Sequence, residues 1–499
     1  MQVLHEVEHL RAWAERDESD DGVVLWLNEA RQFFPAAAAV LSDLLSRNRS
    51  IAIVGSMWPE DWADLHRRPR HGDDPAEITW WWHLERRHRP KIMMVQRFDE
   101  IGMSALKDAA RSDRRIAAAL DAHDGQEIQH LTGGPDLAQL AFDEDETALS
   151  PMERGVLLAL LDVRRLGHQR PVPATLLAEA AAGYLPDSQR VTNDQRWIDA
   201  VLDALCCDPS NRAPGVLRAI HAVRSTADIG PADGYEPNRY LDYQARRLRW
   251  AQVPAEPLWT AAVRHACGDD LARLARAARD RHRLRHAAKL YLAAAGEGSG
   301  DALWELADML EEAGDLDAPR RFAPHAASLG SQSARQYVAD QYYETGDMVL
   351  AEQIYQALYD DGWILAAPRL AKIRADAGDE TGAQRLEAEH DAFWDSIQTI
   401  KIAMPATAAE YATREGYEHA ERRALRSAAD GDTSLLVGLA RMRFEENNDT
   451  EAERLARTAA DAGAASPLRE MAEARTPQRV SQDLLRYGLE PDGSTSDPW

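Results

Sequence analysis

The sequence predicts a mostly α-helical chain with three successive parts: a partial parallel α/β region, a small module of helices and short strands, and a long α-solenoid. Apolar strand-like segments alternate with helical segments only before residue 98. Helical patterns fill most of the remainder, and glycines recur with a period of 32 in the C-terminal half. Alternating strands and helices are typical of a parallel sheet, and a fixed period of this length indicates stacked helix pairs.

The composition restricts the class of protein. The 499 residues carry a formal net charge of −25, which argues against general binding to nucleic acid or to an anionic membrane. Cys206, Cys207 and Cys267 are too few for a disulfide framework or a zinc site, and we interpret the adjacent pair as small apolar residues at a helix end. No apolar run is long enough to span a membrane, and the N-terminus is unlike a signal peptide. We therefore expect a cytoplasmic protein.

The first part, residues 1–98, should form the α/β region. The pattern predicts one amphipathic helix over residues 1–16, whose apolar side would be formed by Val3, Val7, Leu10 and Trp13. Apolar strands are predicted at 23–28, 51–55 and 92–95, with helical segments between them. The first strand leads into Asn28-Glu29, the second into Ser56, and the third ends near Arg97.

Residues 99–145 are predicted to form a helical lid around a turn at Gly133-Gly134-Pro135. Residues 146–240 follow as a separate module. Its first helix has a clear start, because Ser150 can cap, Pro151 suits the first helical position and Glu153 can bond back to the cap. Further helices are expected at 174–184 and 197–205, and a short strand at 215–223. Three helices followed by short extended segments resemble a winged-helix module.

The array spans residues 256–475. Its glycines keep a constant spacing in two series, Gly298, Gly330, Gly362 and Gly314, Gly346, Gly378, and the spacing resumes with Gly431 and Gly463 after an insertion near 393–415. Small residues keep the same phase at Ala287, Pro319, Ala351, Ala383, Ala420 and Ala452. We expect each unit to be a helix pair in which glycine forms the turn and alanine allows close helix contact. The polar tail, residues 476–499, is expected to be frayed.

Two resemblances follow from these motifs. The repeating unit resembles the tetratricopeptide repeat, most clearly in 334–358, where Tyr342-Tyr343, Gly346-Asp347 and Ala351 match that repeat's positions. Residues 1–230 resemble STAND-type NTPases of the kind common in actinobacteria. That likeness is carried by VLWLNEARQF at 24–33, by the segment 54–60 (Val-Gly-Ser-Met-Trp-Pro-Glu), and by Gly133-Gly134-Pro135 before a winged-helix-like module.

The resemblance implies a vestigial nucleotide site. Glu29 would be the Walker B-like acid that orients water, with Asn28 beside it in place of the usual Mg²⁺-binding Asp. Ser56 would sense the γ-phosphate, Arg97 would face the nucleotide, and Pro135 would pack on adenine. The alternatives are a helix cap for Asn28-Glu29, a strand-closing polar residue for Ser56, a surface arginine for Arg97 and a simple turn for Pro135.

The phosphate-binding loop that such a site needs is missing. The sequence contains no G-x-x-x-x-G-K-[ST] motif and no lysine before Lys91. The chain therefore resembles the downstream part of a truncated or degenerate NTPase, and we expect no bound metal and no cofactor. ATP with Mg²⁺ would bind only if another polypeptide, or a coding region upstream, supplied the loop.

Other residue clusters have plainer interpretations. Trp80-Trp81-Trp82 could stack a ligand but is better explained as packing. His282 and His286 lie four positions apart, yet arginines surround them, so a solvated basic face is favoured over a metal site. Helix 174–184 contains no arginine, which argues against DNA recognition by the module.

The sequence thus favours a signalling or scaffold protein, not catalytic by itself, that binds a protein partner through its repeats. Acidic residues in the repeats suit a basic partner segment, although a solvated acidic surface explains them equally well. Other candidate partners are a second copy of the chain and an upstream polypeptide that bears the phosphate-binding loop. The alternative function is an ATP-binding regulatory NTPase, similar to repeat-bearing transcription regulators, that needs this loop in trans. A third is an ATPase complete in this chain, with Glu29 as its base.

Overall fold

The structure is a computed structural model. It describes residues 2–4, 23–27, 51–55, 100–122, 129–130, 134–143, 149–186, 196–207, 219–224, 232–398, 416–475 and 478–499. The chain divides into two compact units, Met1–Val95 and Gln96–Trp499. The prediction of a mostly helical chain is confirmed for the described residues.

Three short strands are described in the first unit. They are β1 (Gln2–Leu4), β2 (Val23–Leu27) and β3 (Ile51–Gly55), and they form a parallel sheet in the order β1-β2-β3. The helix expected over residues 1–16 is wrong at its start, because β1 pairs with the Leu25–Leu27 end of β2. The rest of that helix and the strand expected at 92–95 lie outside the described residues.

Three helices with described bounds lie at the start of the second unit. These are α1 (Glu100–Ala109), α2 (Arg114–Asp121) and α3 (Gly134–Phe142). Gly134 and Pro135 are the first two residues of α3, whereas Gly133 lies outside the described residues, so the turn expected at Gly133-Gly134-Pro135 stays a prediction. A side chain on Gly134 would lie 2.9 Å from the ring of Tyr240, so this helix start depends on glycine for close packing.

In the next segment of the chain, helices come first and short strands follow. α4 (Pro151–Arg165) begins with the predicted capping box between Ser150 and Glu153. α5 (Ala174–Ala180) continues as a 3₁₀ turn to Tyr184, and α6 spans Arg196–Cys206. The strands β4 (Ile220–Val223) and β5 (Gly234–Pro237) pair antiparallel, and an isolated bridge joins Val172 to Tyr235.

The remaining described helices follow one another through short turns, except across 399–415 and 476–477, which lie outside the described residues. α7 (Arg239–Leu248) is followed by α8 (Glu256–His265), which lies within the segment 256–475 predicted as the array but before the helices joined by its regularly spaced turns. The array then comprises α9 (Asp269–Asp280), α10 (Leu284–Gly296), α11 (Gly300–Glu312), α12 (Ala318–Ser328), α13 (Gln332–Thr345), α14 (Met348–Asp360), α15 (Ala367–Asp376), α16 (Glu380–Gln398), α17 (Tyr417–Ala429), α18 (Ser434–Glu445), α19 (Asp449–Asp461), α20 (Ser466–Ala474) and α21 (Arg479–Tyr487).

The predicted glycine turns are confirmed. All eight repeat glycines from Gly298 to Gly463 have a φ between +86° and +98°, the left-handed region that favours glycine. In each turn the residue after the glycine donates its N–H to a carbonyl in the last turn of the preceding helix, as Ser331 does to Ala326 at 3.1 Å. The small residues of the predicted column, from Ala287 to Ala452, are all buried between helices. This is the arrangement expected of an α-solenoid.

The expectation of a frayed tail is wrong for residues 478–499. α21 packs on the array, and the chain beyond it turns back so that Leu489 donates its N–H to the carbonyl of His282 at 2.8 Å. The Trp499 indole donates to the carbonyl of Tyr487 at 3.0 Å and packs against the buried core. Fraying was expected because the segment is polar in composition, but its apolar residues, such as Leu484 and Leu489, are buried and hold it on the array.

Candidate functional site

The residues that the resemblance singled out are mostly not described. Asn28, Glu29, Ser56 and Arg97 lie outside the described residues, so their proposed roles stay predictions. Pro135 is described, half-buried in the first turn of α3, next to the Gly134 that packs on Tyr240. Its contact with adenine also stays a prediction.

The surroundings of His282 and His286, at the turn between α9 and α10, differ from the solvated face that the sequence favoured. His282 and His286 are buried, so a solvated basic face is wrong. His282 has a φ of +58° and its Nε2 lies 2.9 Å from the carbonyl oxygen of Leu484. Burial, together with Arg469 and Arg283, lowers the pKa of His282 to about 4 despite that hydrogen bond. The imidazole is therefore neutral near pH 7 and holds two distant segments together.

His286 has a packing role. Its ring stacks on the indole of Trp259, with centroids 5.9 Å apart. Burial, with help from the cationic Arg285 and Lys289, lowers the pKa of His286 to about 3. Within the described residues no group of three or more His, Cys, Asp or Glu could hold a metal ion.

The last helices of the array contact its first helices, at a place that we call the closing joint. Arg283 pairs with Asp461 at 2.8 Å and Arg285 with Glu490 at 2.7 Å. The N–H of Ala465 donates to the carbonyl of Asp280 at 3.2 Å. Because α19–α21 thereby pack on α9–α11, the two ends of the array lie together.

A half-open cavity of about 540 Å³ lies at the closing joint, lined by residues of α9, α10, α11, α20 and α21. Arg279 spans it, with its guanidinium 2.6 Å from Glu305, 2.5 Å from Asp308 and 3.2 Å from Glu312. The buried Tyr291 hydroxyl on its wall has no hydrogen-bond partner among the described residues. Arginines thus pair with two of the lining carboxylates, Glu305 and Glu312, and the lining of the cavity is largely polar.

Two buried carboxylates organise this part of the chain: Asp162 joins residues between 162 and 249, and Asp270 ties the module to the array. Asp162 accepts from Tyr184, Arg165 and Arg249, the last at 2.7 and 2.9 Å. Burial opposes ionisation of Asp162, but the two arginines outweigh it and lower its pKa. Asp270 on α9 accepts from the N–H of Gln169 at 2.7 Å and pairs with Arg273. These contacts hold the side chains of Asp162 and Asp270 in place, and neither carboxylate is left unpaired to act as a catalytic group.

A strongly acidic surface is formed by α11–α14, residues 300–361, which we call the acidic hairpins. They contain thirteen Asp and Glu against three Arg and no Lys, which gives this segment a formal charge of −10. Some of these acids pair within the chain, as Asp315 does with Arg321 and Asp361 with Arg335. Among the described ion pairs none involves Asp301, Glu311, Asp317, Glu344 or Asp347.

Exposed apolar side chains lie on the same hairpins. Leu316 is 75% exposed in the turn after α11, and Val349 is 66% exposed at the start of α14. Tyr342, Met348 and Leu350 are also exposed beside Val349. Apolar side chains surrounded by unpaired acids are suited to a partner that brings both basic and apolar groups.

Sequence reasoning missed the closing joint. Its members come from opposite ends of the array, as His282 and Leu484 do, and no local pattern predicts such pairs. One signal was available, because a step of 16 back from Gly298 reaches His282, which occupies the same left-handed position.

The helices in the described part of the chain lack the combination of length and apolar character needed to cross a bilayer. No family model, no curated protein and no solved structure matches this chain.

Proposed function

We propose that this chain is a signalling or scaffold protein, not catalytic by itself, whose acidic hairpins bind a basic segment of a protein partner. The observation that carries the proposal is the charge of −10 on residues 300–361 next to exposed Leu316, Met348 and Val349. Helical arrays bind extended or helical segments along one face, and charge complementarity speeds and directs such encounters.

Two further parts of the proposal concern the type of repeat and the type of module that precedes it. We propose that the repeats are tetratricopeptide-like and that residues 146–240 are a winged-helix-like module serving as an internal spacer. What supports the spacer role is the hydrogen bonding of Asp270 to the backbone of Gln169, which fastens the module to the first repeat helix. Helix α6, where a winged helix would read DNA, carries Asp199 and Asp203 and a single arginine, Arg196. That composition disfavours a nucleic-acid partner.

The test uses the full chain and a fluorescent amphipathic peptide with arginines on one face and leucines on the other. Binding is followed by anisotropy at two salt concentrations. Replacing three unpaired acids (Glu311→Gln, Asp317→Asn and Glu344→Gln) should weaken binding about tenfold, since each lost surface charge is worth roughly 0.5 kcal/mol. Higher salt should weaken it as well.

The matched control removes three exposed acids elsewhere, by Glu387→Gln, Glu418→Gln and Glu445→Gln. It makes the same change in net charge and should alter affinity less than twofold. Equal weakening by both triple variants, or no binding of the peptide at low salt, would overturn the proposal.

An alternative function is an ATP-binding regulatory NTPase that receives its phosphate-binding loop in trans. The observation that favours it is the parallel pairing of β2 with β3, whose last residues, Leu27 and Gly55, are partners in register. Asn28 and Ser56 follow these residues directly in the sequence. A thermal shift of the purified chain by MgATP, together with ATP turnover that is lost in Glu29→Gln, would support the alternative, and the absence of any shift, with and without the partner polypeptide, would exclude it.

A further inference from the structure

Arginine side chains cover left-handed glycines at three places in the second unit. The Nη2 atom of Arg170 lies 2.9 Å from the point where Gly268 would carry a Cβ, and that of Arg486 lies 3.1 Å from the same point on Gly314. At Gly463 the nearest atom is Nη1 of Arg281, at 3.5 Å. All three glycines have a positive φ. The same pairing therefore recurs where segments pack on a glycine turn.

The chemistry of a helix C-terminus explains the pairing at Gly314 and Gly463, which follow α11 and α19, whereas Gly268 lies at the start of α9. The last carbonyl groups of a helix lack intrahelical partners and carry the negative end of the helix dipole. Glycine has no Cβ, so a planar guanidinium can lie directly on the turn. At Gly314 the Nε of Arg486 also donates to the carbonyl of Ala313 at 2.9 Å. Arg486 belongs to α21, so a helix that docks beside the acidic hairpins brings its arginine to this spot.

The equivalent turn one repeat later is open. Gly346 follows Gly314 by one full repeat and has a φ of +87°, and no atom lies within 4 Å of its Cβ position. The carbonyl of Thr345 corresponds there to that of Ala313. Gly378, one repeat further on, is also open, but the exposed apolar residues cluster at Gly346, where they are Tyr342, Met348, Val349 and Leu350.

We infer that the Gly346 turn is the anchor for an arginine of the partner, which binds as an amphipathic helix with its apolar side chains on Met348, Val349 and Leu350. The inference rests on the proposed function and specifies its partner. The contact of Arg486 with the Gly314 turn provides the precedent for the anchor, and the acidic hairpins provide the charge complementarity. The arginine is required for its planar guanidinium, and a lysine of the same charge would replace it poorly.

The test uses the same peptide with a photoreactive benzoylphenylalanine beside its central arginine. Cross-links on the full chain should map to residues 342–350. Changing the central arginine to lysine should weaken binding at least fivefold although the charge is kept. In the chain, Val349→Asp should weaken binding about tenfold, and Val480→Asp, at an equally exposed valine on α21 (71% against 66%), should leave it unchanged.

The outcomes separate this inference from the proposed function. If the peptide binds and depends on the three acids, but cross-links lie outside 342–350 and Val349→Asp has no effect, the anchor at Gly346 is wrong and the acidic hairpins remain the binding surface. Equal binding of the lysine peptide would also overturn the anchor. If the peptide does not bind at all, both proposals fail.

Discussion

Ten described turns of the array each contain one residue with a positive φ, and within each run these residues are 16 positions apart. Eight of them are glycines, and His282 and Asn447 occupy the other two positions. L-residues adopt this conformation at a cost of roughly 1–2 kcal/mol, which is smaller for asparagine. One helix with its turn therefore occupies 16 residues, and the glycine spacing of 32 residues corresponds to two helices with their turns.

Replacing Gly362 by alanine isolates the backbone cost of a turn. Nothing lies within 4 Å of the Cβ position, so no clash contributes, and the free energy of unfolding should fall by about 1–2 kcal/mol. The control is Gly296→Ala, at the last residue of α10, which has no positive φ and equally open space. There alanine should leave stability unchanged or raise it by up to about 0.5 kcal/mol, because the position is at the end of the helix. Urea unfolding of both variants measures the contrast, and equal effects would contradict it.

Protonation of His282 should destabilise the fold below neutral pH. Its pKa is about 4 in the folded protein, against an ordinary value of 6.5 for a solvated histidine. The unfolded chain therefore takes up a proton first as pH falls, and the free energy of unfolding should drop between pH 6.5 and 4 by about 1.4 kcal/mol per unit. In His282→Asn the slope of the free energy of unfolding against pH should decrease by about 1.4 kcal/mol per unit. The slope that remains is the part due to His286. His325→Asn, at an exposed histidine, should keep the full slope in urea titrations from pH 4.5 to 7.

Deleting residues 478–499 should destabilise the array, because α21 and the tail complete the closing joint. Leu484 and Leu489 are buried there, and burial of each stabilises by about 1.5–3 kcal/mol. We expect a loss of about 3–6 kcal/mol from the two together, measured by urea unfolding. Val480→Ser, at an exposed position of the same helix, should have almost no effect. An unchanged midpoint after the deletion would mean that the tail is frayed after all.

Elements with local signals could be predicted, and those that depend on distant partners could not. The start of α4 was predictable because Ser150, Pro151 and Glu153 act within one turn. The repeat helices were predictable because glycine dictates where each one ends. In contrast, α21 is held by His282, from the far end of the array, and its polar composition gives no sign of this. The candidate site was predicted only as acidic repeats, since exposure of Val349 and the open Gly346 turn are visible only in the fold.

At the scale of the second unit, one buried core joins the module to the first repeats. It extends from Leu137 through Val156 and Leu160 to Leu290 and Met309, whereas a separate cluster lies in the middle of the array between Ala339 and Leu386. Residues that share a core tend to open together, because exposing one part removes the packing of the rest. The module and α9–α11 should therefore behave as a single cooperative block.

Native-state hydrogen exchange tests this block. Amides in 156–163 and 287–294 should share one opening free energy to within about 1 kcal/mol, although the two segments lie in different predicted domains. Leu160→Ala should lower protection in both segments by about 2–5 kcal/mol, because Leu160 is fully buried in their common core. Leu370→Ala, equally buried in the middle cluster, should lower protection in 355–371 and spare the block. If Leu160→Ala affected 156–163 alone, the module and the repeats would be separate folding units, and the array would have to be stable without the module.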